Sequence, residues 1–194
     1  MVVIKLLVSI VLLISIILYK FCKTHRSTYI KSSIDNKYYL VRDEKDKQIV
    51  ADNLATIRKN VKILIEYMLK NSSETNKPSI QYLNSKLDHI IISENINDFK
   101  YTSYSVNKGD QLVFCMRSRN HKTNGEKHDL NLMMYVVLHE IAHIACPEYG
   151  HTDKFKELFQ YITKCAVDCG LYVPIDFEHI PTEYCGMTIN ESII

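Results

Sequence analysis

The sequence predicts an α+β domain behind an N-terminal apolar segment. Three observations predict it: an amphipathic helical pattern over 46–71, two β-rich runs joined by a short turn over 99–117, and a strongly apolar helix over 130–146 carrying two histidines four residues apart. The 194 residues, 46% hydrophobic and 24% charged, fit one globular domain with an appendage. A formal charge of +2 is too near neutral to argue for a nucleic-acid partner.

Residues 1–19 are apolar apart from Lys5, Ser9 and Ser15. That is close to the roughly 20 residues a bilayer core requires, so the segment reads as a transmembrane anchor. A cleaved signal peptide would need small residues ahead of the cut, and Tyr19-Lys20-Phe21-Cys22-Lys23 supplies none. Lys20, Lys23, Arg26 and Lys31 follow the segment while Lys5 alone precedes it. The positive-inside bias then predicts a single-pass membrane protein with its body on the cytoplasmic side, the bilayer being a partner through residues 1–19. Residues 20–37 read as a juxtamembrane linker and 38–194 as the domain. Of the six cysteines, Cys22 adjoins the apolar segment. An odd five remain at irregular spacings, which reads as reduced thiols.

Within the domain, Ile49, Leu54, Ile57, Val61, Ile65 and Met68 recur at helical steps until Asn71-Ser72-Ser73. A short helix over 79–86 follows, with Ile80, Leu83 and Leu87 on one face. Ile90-Ile91-Ile92 is β-branched and suits a buried strand. The runs 99–106 and 111–117, joined by Asn107-Lys108-Gly109-Asp110, read as a hairpin. Asp129 is a good N-cap for a helix that Pro147 stops. Thr152 caps the next helix, whose apolar face is Phe155, Leu158, Phe159, Ile162 and Ala166 and whose terminator is Gly170. The tail after 171, with Pro174, Pro181 and Gly186, is expected to be mostly irregular.

His139-Glu140-Ile141-Ala142-His143 is an H-E-x-x-H sequence. On a helix, residues four apart stand one turn above each other, so both imidazoles can bind one Zn2+ ion, with Glu140 in reach of the attacking water as general base. A helix this apolar would be buried, and buried His and Glu need partners. A catalytic zinc takes three protein ligands. His151, just past the turn Pro147-Glu148-Tyr149-Gly150, is the candidate third ligand, and Glu148 is its competitor. His25, His89, His121 and His179 have no partner at ligand spacing, and His128 lies near the start of the motif helix. Cys165 and Cys169 lack a second pair and read as small buried hydrophobes. Tyr184 is a candidate donor to a developing oxyanion and Met187 a candidate to pack beneath the zinc, with ordinary core packing the alternative for both. The edge of the hairpin is the expected place for an extended substrate.

Leu138 to His143, followed by Gly150-His151-Thr152-Asp153-Lys154-Phe155, resembles the WLM and SprT-like zincin metallopeptidases. The resemblance covers about residues 129–159. It implies a zincin-like fold, a small twisted sheet packed on the active-site helix, with zinc on His139, His143 and His151 and Glu140 as base. The expected function is a membrane-anchored zinc endopeptidase acting on a protein or peptide substrate. The alternative is a non-catalytic zinc-binding interaction module, against which the presence of Glu140 argues.

Overall fold

The computed structural model describes residues 9–17, 27–96, 100–120, 122–123 and 125–194. Residues 9–17 are helical (α1). The order that follows is β1 (Ser27–Lys31), β2 (Tyr38–Arg42), α2 (Lys47–Asn71), α3 (Lys77–Leu87), β3 (Ile91–Glu94), β4 (Tyr104–Val106) and β5 (Gln111–Phe114). It ends with α4 (Leu130–Ala145), α5 (Asp153–Asp168), β6 (Thr182–Tyr184) and β7 (Met187–Ile189). This is the α+β arrangement expected.

The N-terminal expectation is corrected. Among the described residues no helix is long and apolar enough to cross a membrane. The transmembrane helix and the single-pass, cytoplasm-facing localisation fall together. Apolar composition over 1–19 does not by itself set the length of a helix; residues 1–8 and 18–19 lie outside the described residues.

β3, β5 and β4 form a sheet in that order, β3 parallel and β4 antiparallel to β5, so β4 is an edge. The expected hairpin is therefore present, its turn bent by positive φ at Asn107, Lys108 and Gly109. β1 pairs with β2 although its residues fall in the expected linker. α2 buries Leu54, Ile57, Val61, Ile65 and Met68 as its periodicity predicts, but Ile49 is exposed and Val50 takes the inward place. α4 is buried along most of its length and packs against α5, α3, α2 and β4. Its N-cap is Asp129, whose carboxylate accepts from the N–H groups of Asn131 (2.8 Å) and Leu132 (3.3 Å). Thr152 caps α5 by accepting from the Phe155 N–H. Gly170, at φ +67°, ends that helix in the left-handed conformation.

A buried ion pair fastens the sheet to the start of α2. Arg117 and Glu94 are 3% and 2% exposed. The Arg117 Nε donates to Glu94 at 2.9 Å, its Nη1 donates to Asp46, and the Arg42 N–H donates to the other Glu94 oxygen at 2.7 Å. Arg117→Met leaves the Glu94 charge buried without its guanidinium. Urea unfolding should show a loss of about 3 kcal/mol.

The tail is more regular than expected. β6 and β7 form a hairpin across Cys185-Gly186, both at positive φ, as a two-residue turn requires. The fold also brings Cys185 to Cys115, 70 residues away, and the two are disulfide-bonded. This corrects the reading of all thiols as reduced, which rested on count and spacing. Cys146, Cys165 and Cys169 are free; Cys165 is buried as expected, whereas Cys169, at the C-cap of α5, is only half-buried.

Candidate metal centre

His139 and His143 stand one turn apart near the C-terminal end of α4. The loop after Pro147 returns His151 to them. The three Nε2 atoms form a triangle with sides of 3.1, 3.2 and 3.1 Å. Neutral imidazoles each carry one N–H and one lone pair, so three nitrogens meeting at a point cannot all be satisfied by one another. A cation at that point satisfies all three. His139, His143 and His151 thus form a cluster that could hold a metal ion. Glu148, the competing ligand, is not in it.

Aromatic rings wall the cluster on one side. His143 stacks on Phe155 at 4.1 Å between centroids, and His139 meets Phe155 and Phe159 edge-on at 5.1 and 5.2 Å. This is why the apolar face of α5 matters to the site. Burial, reinforced by the neighbouring imidazoles, pushes the His139 pKa down to about 3. Burial, then His151 and Lys108, pushes His143 down to about 4. Both rings are therefore neutral near pH 7, the state in which imidazole binds metals.

Glu140 is buried, and that burial raises its pKa to about 7, opposed by a hydrogen bond donated from the Ser105 backbone N–H. Ser105 belongs to β4, so the sheet edge lies directly against the glutamate. A cleft of about 740 Å³ opens here, with Glu140, His139, His151, Tyr135, Phe159 and Tyr184 among its walls. Residues 190–193 form another wall, held by a hydrogen bond from the Tyr135 hydroxyl to the Glu191 carbonyl.

Tyr184 is buried against the cleft, its hydroxyl 2.5 Å from that of Ser103, while Ser103 accepts from the Cys115 N–H. Desolvation raises the phenol's pKa. Behind it sits His128, buried, its ring 4.9 Å from that of Tyr184 and its Nε2 accepting from the Cys185 N–H at 3.3 Å. Burial lowers the His128 pKa. His128 thus approaches the site from behind and lies outside the triad. Met187 is 48% exposed on the cleft rim, where Thr102 donates to its sulfur, and does not pack beneath the histidines. His179 pairs with Asp176 at the surface, and His25 and His121 lie outside the described residues.

Sequence reasoning missed Ser103, Ser105 and the 190–193 wall. Ser105 acts through its backbone, which leaves no residue-type signal, and the wall depends on a tail read as irregular.

Among known proteins, the chain is similar to "Uncharacterized protein R325" of Acanthamoeba polyphaga mimivirus. The two are 42% identical over 194 residues, covering 97% of each chain. Shorter similarities reach "Uncharacterized protein 136R" of Invertebrate iridescent virus 6, 37% identical over 36% of this chain and 38% of that one. "Uncharacterized protein 042R" of Invertebrate iridescent virus 3 is 39% identical over 37% and 43% of the respective chains. No family model matches the chain, and no solved structure matches it.

Proposed function

We propose that this chain, which belongs to the same protein family as the mimivirus protein R325, is a zinc-dependent peptidase. The observation that carries the reading is the convergence of three imidazole Nε2 atoms with a buried carboxylate, Glu140, in one cleft beside a sheet edge. The donor set suits zinc. A tetrahedral zinc with bonds of 2.0–2.1 Å sets its ligand nitrogens about 3.3 Å apart, close to the sides of this triangle. Three protein ligands, the number among the described residues, leave the open position that a catalytic site needs. The likeness of the 138–155 segment to the WLM and SprT-like zincins points the same way.

Zinc supplies a Lewis acid that makes water nucleophilic near neutral pH. The chain's own groups do the rest. Glu140 takes the water's proton and delivers it to the leaving amine. The Ser105 N–H holds that carboxylate in one orientation. An extended peptide adds along the β4 edge, and Tyr135 and Phe159 give its side chain an apolar wall. When Ser103 donates to the Tyr184 oxygen, the phenolic proton is left to stabilise the oxyanion.

The test combines metal analysis with a mixed peptide library. The protein should carry zinc at one per chain and cut internal bonds. A chelator should stop cleavage and added zinc should restore it. Stoichiometric zinc without cleavage of any peptide would instead establish a non-catalytic zinc-binding interaction module.

A further inference from the structure

We infer that Lys108 is a positioning residue that holds the third histidine in place, an inference resting on the metal-site reading above. The turn at residues 147–150, which returns His151 to the helix pair, is exposed and has no core packing of its own. Its carbonyls are gathered by one side chain. The Lys108 ammonium donates to the carbonyls of Cys146 (2.7 Å), Pro147 (2.8 Å) and Glu148 (3.1 Å). All three of its N–H groups are thereby used. The same ammonium lies 4.3 Å from the centroid of the Tyr149 ring. It thus binds the C-terminal end of α4, where carbonyls lack helical partners and a cation is favoured, and continues along the turn to the residue two before Gly150.

The backbone is bent to make this reach. Lys108 has φ +50°, a left-handed conformation that is unfavourable for a residue with a Cβ. Gly109 beside it has φ +109°, and a Cβ there would meet the Ile144 side chain at 3.1 Å. The β4–β5 turn therefore sits close on α4, and Lys108 spans from it to the metal-bearing loop. One consequence is that the strand edge offered to substrate and the loop bearing His151 are tied through a single ammonium.

Two substitutions test this. Lys108→Asn keeps a residue that tolerates the left-handed conformation but cannot reach the carbonyls. Lys108→Arg keeps a long cationic donor. Zinc affinity is read by chelator competition, ligand geometry by the visible spectrum of the cobalt-substituted protein, and mobility of residues 148–151 by amide exchange without metal. Lys108→Asn should weaken zinc binding by about 10-fold or more, alter the cobalt spectrum and speed exchange in the turn, and Lys108→Arg should recover most of the affinity. Parent-like affinity, spectrum and exchange in Lys108→Asn would overturn this inference alone. A parent protein that takes up no zinc would overturn the metal-site reading and this inference with it.

Discussion

Glu140→Gln is expected to abolish measurable peptide cleavage while leaving the zinc content unchanged. The amide cannot take a proton from water, and the loss of a general base lowers kcat by about 10³-fold, equivalent to about 4 kcal/mol of barrier. The substitution is gentle otherwise. Glutamine keeps the shape of the side chain, and its carbonyl oxygen still accepts from the Ser105 N–H that orients Glu140. Burying a neutral amide at a site that already pushes the carboxyl pKa to about 7 adds no desolvation cost. The measurement is kcat on the best library peptide alongside metal analysis of the same preparation. Retained cleavage would remove Glu140 from the role of base.

His139→Ala should remove the metal. His139 is the most enclosed of the three, packed against Phe155 and Phe159 and touching both other imidazoles. Binding energies of about 10–16 kcal/mol for four-ligand zinc sites imply a few kcal/mol per ligand, so affinity should fall by about two to three orders of magnitude. A zinc-dependent rise in Tm, which follows from selective binding to the folded chain, should shrink accordingly in titrations followed by differential scanning calorimetry. The same titration on His151→Ala separates that ligand from Glu148, because only the histidine lies in the triangle.

The elements that surround the site were legible because each carries its own local signal. Asp129 and Thr152 were readable as caps, and both accept from the N–H groups of their helices. Phe155, Leu158, Phe159, Ile162 and Ala166 repeat at helical spacing and are all buried. The histidines of α4 follow from a spacing of four on such a helix. What was not legible depends on contacts between distant residues. β6 and β7 have three residues each, too few for alternation to show. The Cys115–Cys185 bond joins them to β5 across 70 residues, which no count of cysteines reveals. Lys108 reaches the 146–148 carbonyls across 38 to 40 positions. At the N-terminus composition alone suggests a span, yet no described helix is long and apolar enough to cross a membrane.

The disulfide has a topological consequence. His139, Glu140, His143, His151 and Tyr184 all lie between Cys115 and Cys185, so the histidine triad, the buried glutamate and the phenol are threaded on one covalent ring. The exposed loop that carries His151 is also part of that ring. Were the chain the peptidase proposed above, it would be surrounded by copies of itself, with this loop within their reach. A nick in this loop opens the ring but cannot release either strand, because the bridge still joins both halves of the molecule. The architecture therefore confines the damage of a cut in this loop to a break that folding can hold closed.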